Sequence, residues 1–165
     1  MNKNLYNTKY LKVRFADNSD VNDLFEWRND PHTRKMFNNH KLIQIDEHKN
    51  WFQKVLNKKN ILLIIGFFPN SDEKIGSLRF DKSKLNKYFI SINIAPKFRG
   101  KKLAKKFLIL SMDFFINYDT KFIAEIKKNN KVSIKFFIST GFKIFNESEK
   151  YFFCESTKEK ILLDN

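Results

Sequence analysis

A turn between a predicted strand and a predicted helix, residues 96–104, combines small and basic residues in a way that suits phosphate binding. The first turn of a helix leaves backbone N–H groups without intrahelical partners, and the positive end of the helix dipole lies at the same place. Gly100 and Ala104 are small enough to let a phosphate approach the backbone, and Lys101 and Lys102 add positive charge. The alternative interpretation is an ordinary helix start with a solvated basic face, because the stretch has one glycine and is no Walker loop.

A second group of polar and small residues follows a predicted strand that ends at residues 125–127. Asn130 and Ser133 lie three residues apart and Phe137 lies four further on, so that all three share one face of a helix. Gly141 is a good C-terminal cap for that helix. The alternative role for Asn130 is that of a simple helix cap.

These two segments resemble the signature of the GNAT superfamily of N-acetyltransferases. Residues 99–104, Arg-Gly-Lys-Lys-Leu-Ala, are similar to its Arg/Gln-x-x-Gly-x-Gly/Ala motif, except that Lys102 stands where the family has glycine. Residues 130–142 are similar to its Asn-x-x-Ala/Ser-x-x-Leu-Tyr/Phe-x-x-x-Gly-Phe segment, with matching spacing throughout. The resemblance covers nearly the whole chain, from about residue 11 to residue 155.

The resemblance implies that acetyl-CoA is the acetyl donor and that transfer is direct, in a ternary complex without an acyl-enzyme. The coenzyme contacts that it implies are Ile94, Arg99, Gly100, Lys101, Lys102, Leu103, Ala104, Asn130, Ser133 and Phe137. The backbone N–H near Ile94 is expected to reach the thioester oxygen at a point where strand pairing opens. We expect that opening because Pro96 cannot donate a ladder hydrogen bond.

The proton transfers of the reaction have one candidate base and no obvious acid. We expect Glu125, at the end of the predicted fifth strand, to remove the amine proton directly or through water. An exposed strand-end carboxylate is the alternative interpretation. Phe137 stands where many family members have tyrosine, so it has no proton for the leaving thiolate and is expected to pack against the pantetheine arm. Water or the coenzyme's surroundings would supply that proton, and no metal is expected to take part.

The amino-terminal part is similar to one branch of the superfamily. Residues 25–31, Phe-Glu-Trp-Arg-Asn-Asp-Pro, and 46–52, Asp-Glu-His-Lys-Asn-Trp-Phe, carry this resemblance. The branch includes amino-sugar-nucleotide N-acetyltransferases of the pseudaminic and related nonulosonic acid pathways. It also resembles, less closely, the acetyltransferases that act on ribosomal protein N-termini.

Five residues of this part are predicted to bind the acceptor substrate, and each has a structural alternative. Arg28 lies on the apolar stripe of a helix, either as a buried ion-pair partner or as a contact to a substrate phosphate. His48 is either a satisfied core histidine or a residue that faces the sugar-nucleotide pocket. Met36, Phe37 and Trp51 belong either to the core or to a surface that contacts the apolar side of a 6-deoxy sugar.

Composition excludes several classes of protein. With 32 Lys+Arg against 18 Asp+Glu the net charge is +14, which favours anionic small molecules such as nucleotides and coenzyme A. The lysines are spread along the chain rather than gathered in a basic arm, which argues against a nucleic-acid-binding module. Cys154 is the single cysteine, which fits a reducing compartment. The longest apolar run, 61–68, is too short to span a membrane, and residues 1–10 lack a secretory h-region, so we expect a cytoplasmic protein.

Hydrophobic periodicity predicts a single domain over residues 1–165, of the α/β (α+β) class. Its core is a mixed, largely antiparallel sheet with helices on both faces, the arrangement of the GNAT fold. The predicted strands are 10–16, 61–68, 74–81, 87–95, 121–127, 142–146 and 150–155. The predicted helices are 19–29 capped by Asn18 or Ser19, a short one through Met36, 47–57 capped by Asp46, 101–117 and 130–140.

Three functions follow from these features, in descending order. The first is acetyl-CoA-dependent acetylation of the amine of a nucleotide-linked amino-deoxy sugar, a small-molecule substrate. The second is acetylation of a protein N-terminus or lysine, which calls for an open groove instead of a closed pocket. The third is nucleic-acid binding, against which the lack of interleaved aromatic and basic residues argues. A monomer or a homodimer is expected.

Overall fold

The computed structural model of the chain describes residues 10–37, 39–84 and 86–164. Its strands are β1 (Lys12–Phe15), β2 (Ile61–Phe68), β3 (Glu73–Lys84), β4 (Lys87–Ile94), β5 (Lys121–Lys127), β6 (Lys143–Glu147) and β7 (Tyr151–Thr157). Its helices are α1 (Val21–Asn29), α2 (Pro31–Met36), α3 (Ile45–Leu56), α4 (Leu103–Ser111), α5 (Lys131–Ile138) and α6 (Lys158–Leu163).

The strands form one sheet in the order β1-β2-β3-β4-β5-β7-β6. Neighbouring strands run antiparallel, with the exception of β4 and β5, which are parallel. The mixed, largely antiparallel sheet predicted from the sequence is therefore confirmed, and its one parallel pair lies at the centre.

The parallel pair is short, and the sheet opens beyond it. Lys87–Phe89 of β4 pairs with Lys121–Ile123 of β5, after which β4 continues to Ile94 and β5 to Lys127 without pairing to each other. Because the pairing is lost directly after Phe89, well before Pro96, the expectation that Pro96 causes the opening is wrong. The opening is a divergence of the two strands, while β4 stays paired to β3 as far as Ile94.

Helices cover both faces of the sheet. Leu63 projects from one face of β2 toward Leu24 of α1 and His48 of α3, with which it lines a common cavity. Gly66, at the opposite pleat, faces α4, because a Cβ atom at this position would lie 2.9 Å from the ring of Phe107. Glycine therefore allows α4 to pack directly against the sheet.

The boundaries of some helices differ from the predictions. The predicted helix 101–117 is shorter: α4 covers Leu103–Ser111 and is followed by a 3-10 turn, Met112–Phe114. Asp17, rather than Asn18 or Ser19, caps the 3-10 turn that precedes α1, and the cap residue of α3 is Gln44, without a side-chain cap bond, rather than Asp46.

The short helix α6 was not predicted. It follows β7 directly, and the Thr157 side chain caps it by accepting a hydrogen bond from the Lys160 N–H. Six residues give too short a periodic pattern to distinguish a helix from a continued strand.

Candidate active site

A cleft of about 900 Å³ lies where β4 and β5 diverge. The end of β4, the turn before α4, the first residues of α4, the face of α5 and the helix α2 form its walls. Eight of the ten predicted coenzyme contacts line it: Ile94, Arg99, Gly100, Lys102, Leu103, Ala104, Asn130 and Ser133. The cleft therefore brings together two segments that are distant in sequence and that the motif analysis assigned to one ligand.

The turn before α4 holds its backbone open toward this cleft. Gly100 has φ +73° and Lys102 has φ +59°, so both adopt the left-handed conformation, and α4 begins only at Leu103. A Cβ atom built at Gly100 meets no other atom within 4 Å, so the space beside this backbone is empty. Lys102 caps α4 without a side-chain hydrogen bond to the first turn. These N–H groups at the start of α4, together with the empty space beside Gly100, fit a pyrophosphate.

The edge of β4 contributes backbone donors to the same cleft. The Ala95 N–H donates to Ile75 O at 2.9 Å across the antiparallel ladder with β3. Since hydrogen-bonding groups of successive residues in such a ladder point to opposite sides, the N–H groups of Ile92 and Ile94 point away from β3, into the opening. Arg99 Nε donates to Ile94 O at 3.1 Å, which agrees with this orientation.

Helix α5 forms the far wall of the cleft, and the structure separates its residues into two groups. Asn130 caps the helix, since its Oδ1 accepts the Ser133 N–H at 3.1 Å, and both residues also line the cleft. Phe136 lines the cleft, whereas Phe137 is only 3% exposed and packs against the rings of Phe136 and Phe142. The ring of Phe136, and not that of Phe137, thus faces the cleft, and the contact between Phe137 and the pantetheine arm stays a prediction.

Two further predicted residues lie outside the places expected for them. Lys101 is exposed and does not line the cleft, although its neighbours on both sides do. Met36 lines the coenzyme cleft rather than the acceptor pocket, because α2 runs along the opening between β4 and β5. Neither difference changes the interpretation of the cleft as the candidate coenzyme site.

A second, smaller cavity of about 270 Å³ adjoins the cleft, and we call it the acceptor pocket. The residues that line both cavities are Phe37, Ile92 and Asn93. The other lining residues are Leu24, Arg28, Ile43, Glu47, His48, Trp51, Leu63, Ser77, Arg79 and Ser91. Four of the five predicted acceptor residues, Arg28, Phe37, His48 and Trp51, thus surround one space beside the proposed coenzyme site.

Arg28 is the polar group that this pocket leaves least satisfied. Its Nη2 donates to Asn39 O at 2.9 Å and its guanidinium carbon lies 4.1 Å from the centre of the Phe37 ring. Its Nη1 is buried and, among the described residues, has no hydrogen-bond partner. Burial, and next the charge of Arg34, lower the pKa of Arg28. The ion-pair alternative is not realised in the described part of the chain, where Arg28 forms no salt bridge.

His48 serves both roles that the sequence left open. It is 3% exposed, its Nε2 donates to Val21 O at 3.0 Å, and the Trp51 ring lies 5.2 Å away between ring centres. Burial above all, and the charge of Arg28, lower the pKa of His48 below its ordinary value, despite the opposing hydrogen bond to Val21. The imidazole therefore forms part of the pocket wall and fastens α3 to α1.

Sequence reasoning missed Arg79, which adds a second guanidinium to the pocket. It lies on β3 with its Nε and Nη2 donating to Asp81 Oδ1 at 3.1 and 2.6 Å, and its guanidinium carbon is 5.7 Å from the centre of the Trp51 ring. Ser77, Ser91 and Arg79 occupy one face of neighbouring strands. Polar residues at alternate positions of a central strand, where apolar ones are usual, were the available signal.

Glu125, the predicted base, is exposed on β5 opposite Phe153 and lines neither cavity. The role of Glu125 as the general base therefore stays a prediction, and the geometry of the two cavities gives it no further support. Among the described residues that line the acceptor pocket, the one carboxylate is Glu47, in the first turn of α3.

Within the described residues no group of three or more His, Cys, Asp and Glu side chains is placed to hold a metal ion. In the same part of the chain no helix is both long and apolar enough to cross a membrane.

A parallel pair that diverges beside a left-handed turn and an open helix start is the coenzyme site that the resemblance to GNAT acetyltransferases implies. The chain belongs to the acetyltransferase (GNAT) domain family, whose model matches residues 11–143. It is an N-acetyltransferase that uses acetyl-CoA. No curated protein matches the chain in sequence.

Solved structures share the fold across nearly the whole chain. A spermidine N-acetyltransferase from Vibrio cholerae, in complex with CoA and spermine, has a TM-score of 0.80 at 15% identity and covers 93% of this chain and 99% of its own. A domain from Methanocaldococcus jannaschii has a TM-score of 0.76 at 26% identity and covers 89% and 97%. An uncharacterized protein from Bacillus halodurans has a TM-score of 0.79 at 22% identity and covers 93% and 89%. At 15% identity the likeness to the spermidine enzyme concerns the fold alone.

Proposed function

We propose that this acetyltransferase acts on the amine of a nucleotide-linked amino-deoxy sugar. The observation that carries the proposal is the buried Nη1 of Arg28, which has no partner among the described residues and lies in the pocket beside the coenzyme cleft. A buried guanidinium nitrogen without a hydrogen bond is costly, and an oxygen of the acceptor would satisfy it.

The charges around the pocket favour an anionic or neutral acceptor over a polyamine. Arg28 and Arg79 line it against the single carboxylate of Glu47, and the whole chain carries a net charge of +14. A polyamine is a flexible polycation, which the guanidinium of Arg28 would repel, because Arg28, unlike Arg79 with its partner Asp81, forms no salt bridge within the described residues. We therefore do not expect spermine, which the Vibrio cholerae enzyme binds, to be a substrate of this enzyme.

The size of the pocket indicates which part of the acceptor enters it. Its volume of about 270 Å³ is just below the roughly 300–1,000 Å³ of pockets that hold a whole drug-sized ligand. We therefore infer that the amino-sugar ring enters and that the nucleotide stays outside. Phe37 and Trp51 supply apolar surface suited to the deoxy positions of such a ring. A protein terminus, the second candidate acceptor, needs an open groove.

Acetyl-CoA supplies the activated acetyl group when it is bound. The N–H groups at the start of α4 would hold its pyrophosphate, and the N–H groups of Ile92 and Ile94 would donate to the thioester carbonyl oxygen. Asn93, which lines both cavities, marks where the amine would reach the carbonyl carbon. Phe136 and Phe137 have no proton to donate, so water or the coenzyme's surroundings would supply the proton that the departing thiolate needs.

The amine must lose a proton before it attacks, and two carboxylates compete for this role. Glu125 is the candidate from the sequence, and Glu47 lines the acceptor pocket. General-base catalysis is worth about 10²- to 10⁴-fold, so Glu47→Gln and Glu125→Gln separate the two by the loss of kcat and the shift of its acidic limb. If neither variant changes kcat or its pH profile, a chain of water molecules takes the proton instead.

The acceptor is tested with a panel in which free thiol release reports acetyl transfer. The panel contains 4-amino-4,6-dideoxy sugar nucleotides, the corresponding free amino sugars, peptides with free N-termini, and spermidine. We expect turnover of the sugar nucleotides and little of spermidine. Turnover of peptides with none of the sugar nucleotides would replace the proposal by its alternative, and efficient turnover of spermidine would contradict the charge argument.

A further inference from the structure

The two cavities are tied together by a cluster of hydrogen bonds around Arg99. This residue follows the 3-10 turn Pro96–Phe98 on the coenzyme side. Its Nη1 donates to Asp30 Oδ2 at 2.7 Å, its Nη2 to Thr33 Oγ1 at 2.6 Å, and its Nε to Ile94 O at 3.1 Å. Although Arg99 lines the coenzyme cleft, its guanidinium is thus directed at α2 and β4.

The partners of Arg99 control where α2 lies. Asp30 is both the last cap of α1 and the N-cap of α2, and its Oδ2 also accepts the Thr33 N–H at 2.9 Å. Thr33 is 5% exposed and lines the coenzyme cleft, while α2 leads directly to Phe37, one of the three residues shared by both cavities. Arg99 therefore joins the phosphate-binding turn to the helix that forms the wall between the cavities.

The ion pair is well enough shielded to matter energetically. The side chains of Arg99 and Asp30 are 28% and 18% exposed, and their contact is a charge-assisted hydrogen bond. Burial by itself raises the pKa of Asp30, but the hydrogen bonds from the Thr33 N–H and from Arg99 outweigh it and hold the pKa below its ordinary value. The carboxylate is thus ionised in the conditions in which the enzyme works.

We infer that Asp30 and Thr33 are positioning residues, which through Arg99 hold α2, the helix that leads to Phe37 and the acceptor pocket, against the phosphate-binding turn. Asp30 lines neither cavity, so it has no direct part in binding either substrate. Its effect is to keep the amine of the acceptor aligned with the donor in the cleft. Misalignment by about 1 Å can cost up to about 100-fold in rate.

The Asp30→Asn variant tests this inference without removing the helix cap. Asparagine caps helices as well as aspartate does, so α2 keeps its N-cap bond but loses the ionic contact to Arg99. We expect kcat/KM for the acceptor chosen by the panel above to fall about tenfold or more. The dissociation constant of CoA, measured by calorimetry, should stay within about twofold of that of the native enzyme, since Asp30 does not line the cleft.

Three further variants separate positioning from simple loss of stability. Thr33→Val removes the hydroxyl and should act like Asp30→Asn, while Thr33→Ser keeps it and should restore activity. Asp23→Asn is the matched control, because Asp23 pairs with Lys74 at 2.7 Å and likewise fastens α1 to the sheet but lines neither the coenzyme cleft nor the acceptor pocket. We expect this control to keep native kinetics.

A double-mutant cycle tests whether Arg99 is the partner through which Asp30 acts. Arg99→Gln keeps a residue type that the family motif allows, and Asp30→Asn combined with it should reduce kcat/KM no further than the worse single variant. If the losses in kcat/KM of the two single variants multiply in the double variant, the inference is overturned. So would an Asp30→Asn enzyme whose CoA affinity falls as much as its acceptor kcat/KM.

Hydrogen exchange gives a readout that needs no acceptor, although the kinetic tests rest on the proposed function. In the native enzyme and in Thr33→Ser, added CoA should slow amide exchange both at 99–104 and at 31–37. In Asp30→Asn the protection at 99–104 should stay native and the protection at 31–37 should become smaller, since only direct contact with the coenzyme remains there. Equal protection of 31–37 in Asp30→Asn would overturn the inference, and failure of every sugar nucleotide in the panel would overturn only the proposed acceptor.

Discussion

The coenzyme cleft and the acceptor pocket lie side by side but are built from different parts of the chain. The cleft presents backbone groups: the N–H groups of β4 at its open edge and those of the left-handed turn before α4. The acceptor pocket presents side chains from the two helices α1 and α3, from three strands and from the loop between α2 and α3, among them two guanidinium groups, an imidazole and an indole.

This difference predicts how each region responds to substitution. A site made of main-chain groups depends on backbone conformation and tolerates many side chains, which is why short motifs carry its signature. A site made of side chains changes its ligand when single residues change. Substitutions in the first region should therefore alter coenzyme affinity, and those in the second should alter acceptor use.

The largest effect is expected at Gly100, the clearest backbone position of the cleft. Gly100→Val places a β-branched residue at φ +73°, which costs about 1–2 kcal/mol in strain, and puts its side chain into the space left for the ligand. We expect CoA affinity to fall by about 10- to 100-fold in calorimetry.

Gly100→Ala is the control for Gly100→Val. Its smaller side chain should cause a smaller loss, in proportion to the space it fills. A folded Gly100→Val enzyme with native CoA affinity would show that the pyrophosphate does not lie on this turn.

Arg28 should have the largest effect on the acceptor side. Arg28→Met keeps much of the aliphatic stem against Phe37 but removes the buried guanidinium. Because hydrogen bonds to charged groups are worth about 1.5–3 kcal/mol, we expect acceptor KM to rise about 10- to 100-fold.

Coenzyme binding separates the two regions in this experiment. CoA affinity should remain native in Arg28→Met, as the pocket and the cleft meet only at Phe37, Ile92 and Asn93 in the described part of the chain. An Arg28→Met enzyme with unchanged acceptor KM would remove the main support for the proposed amino-sugar acceptor.

The next effect concerns stability, because titratable side chains fasten the acceptor-side helices to the sheet. Asp20, which is fully buried before α1, pairs with Arg14 of β1 at 2.7 Å and with Lys74 of β3 at 2.9 Å. Burial raises the pKa of Asp20, but hydrogen bonds from Arg14, the Asp17 N–H and Lys74 outweigh it and lower the pKa. Its pairing therefore stabilises the fold above the unfolded pKa of about 3.9, and this contribution is lost as pH falls through the lower, folded value.

Asp20→Asn should reduce the free energy of unfolding at pH 7 by about 2 kcal/mol and flatten its decline in acid. Denaturant titrations between pH 3 and 7 measure both. Asp23→Asn is again the matched control, since Asp23 shares Lys74 but its side chain is 39% exposed, compared with 0% for Asp20. Equal losses of unfolding free energy in the two variants would mean that the burial of Asp20 does not strengthen its ion pairs.

The smallest effect is expected at Lys102, where the sequence departs from the family motif. Lys102→Gly relieves a left-handed residue at φ +59° and should raise the free energy of unfolding by up to about 1 kcal/mol. CoA affinity should change less than twofold, because the backbone supplies the contact.

Lys102→Ala is the control, since it removes the charge but keeps the strain. If Lys102→Ala and Lys102→Gly weaken CoA binding equally, the lysine side chain is itself a ligand of the coenzyme.

Local sequence was sufficient for the elements and for one of the two sites. Alternating and helical periodicities predicted the seven strands and five of the six helices, and the two motifs predicted seven residues that share the cleft. These features depend on near neighbours in the chain: the left-handed turn at Gly100, the start of α4 and the cap at Asn130. A pattern of residue types is enough to indicate such local structure.

The sequence also limited the kinds of ligand and reaction to be expected, because it gives the net charge, the single cysteine and the order of the motifs. Packing between distant segments decided the remainder. Phe136 and Phe137 lie three and four residues after Ser133, so spacing could not decide which ring lines the cleft. Arg79 reaches the pocket because β3 passes beneath α3, and Arg99 reaches Asp30 across 69 positions of sequence. Such contacts depend on how the sheet twists and opens between β4 and β5, which no short segment encodes.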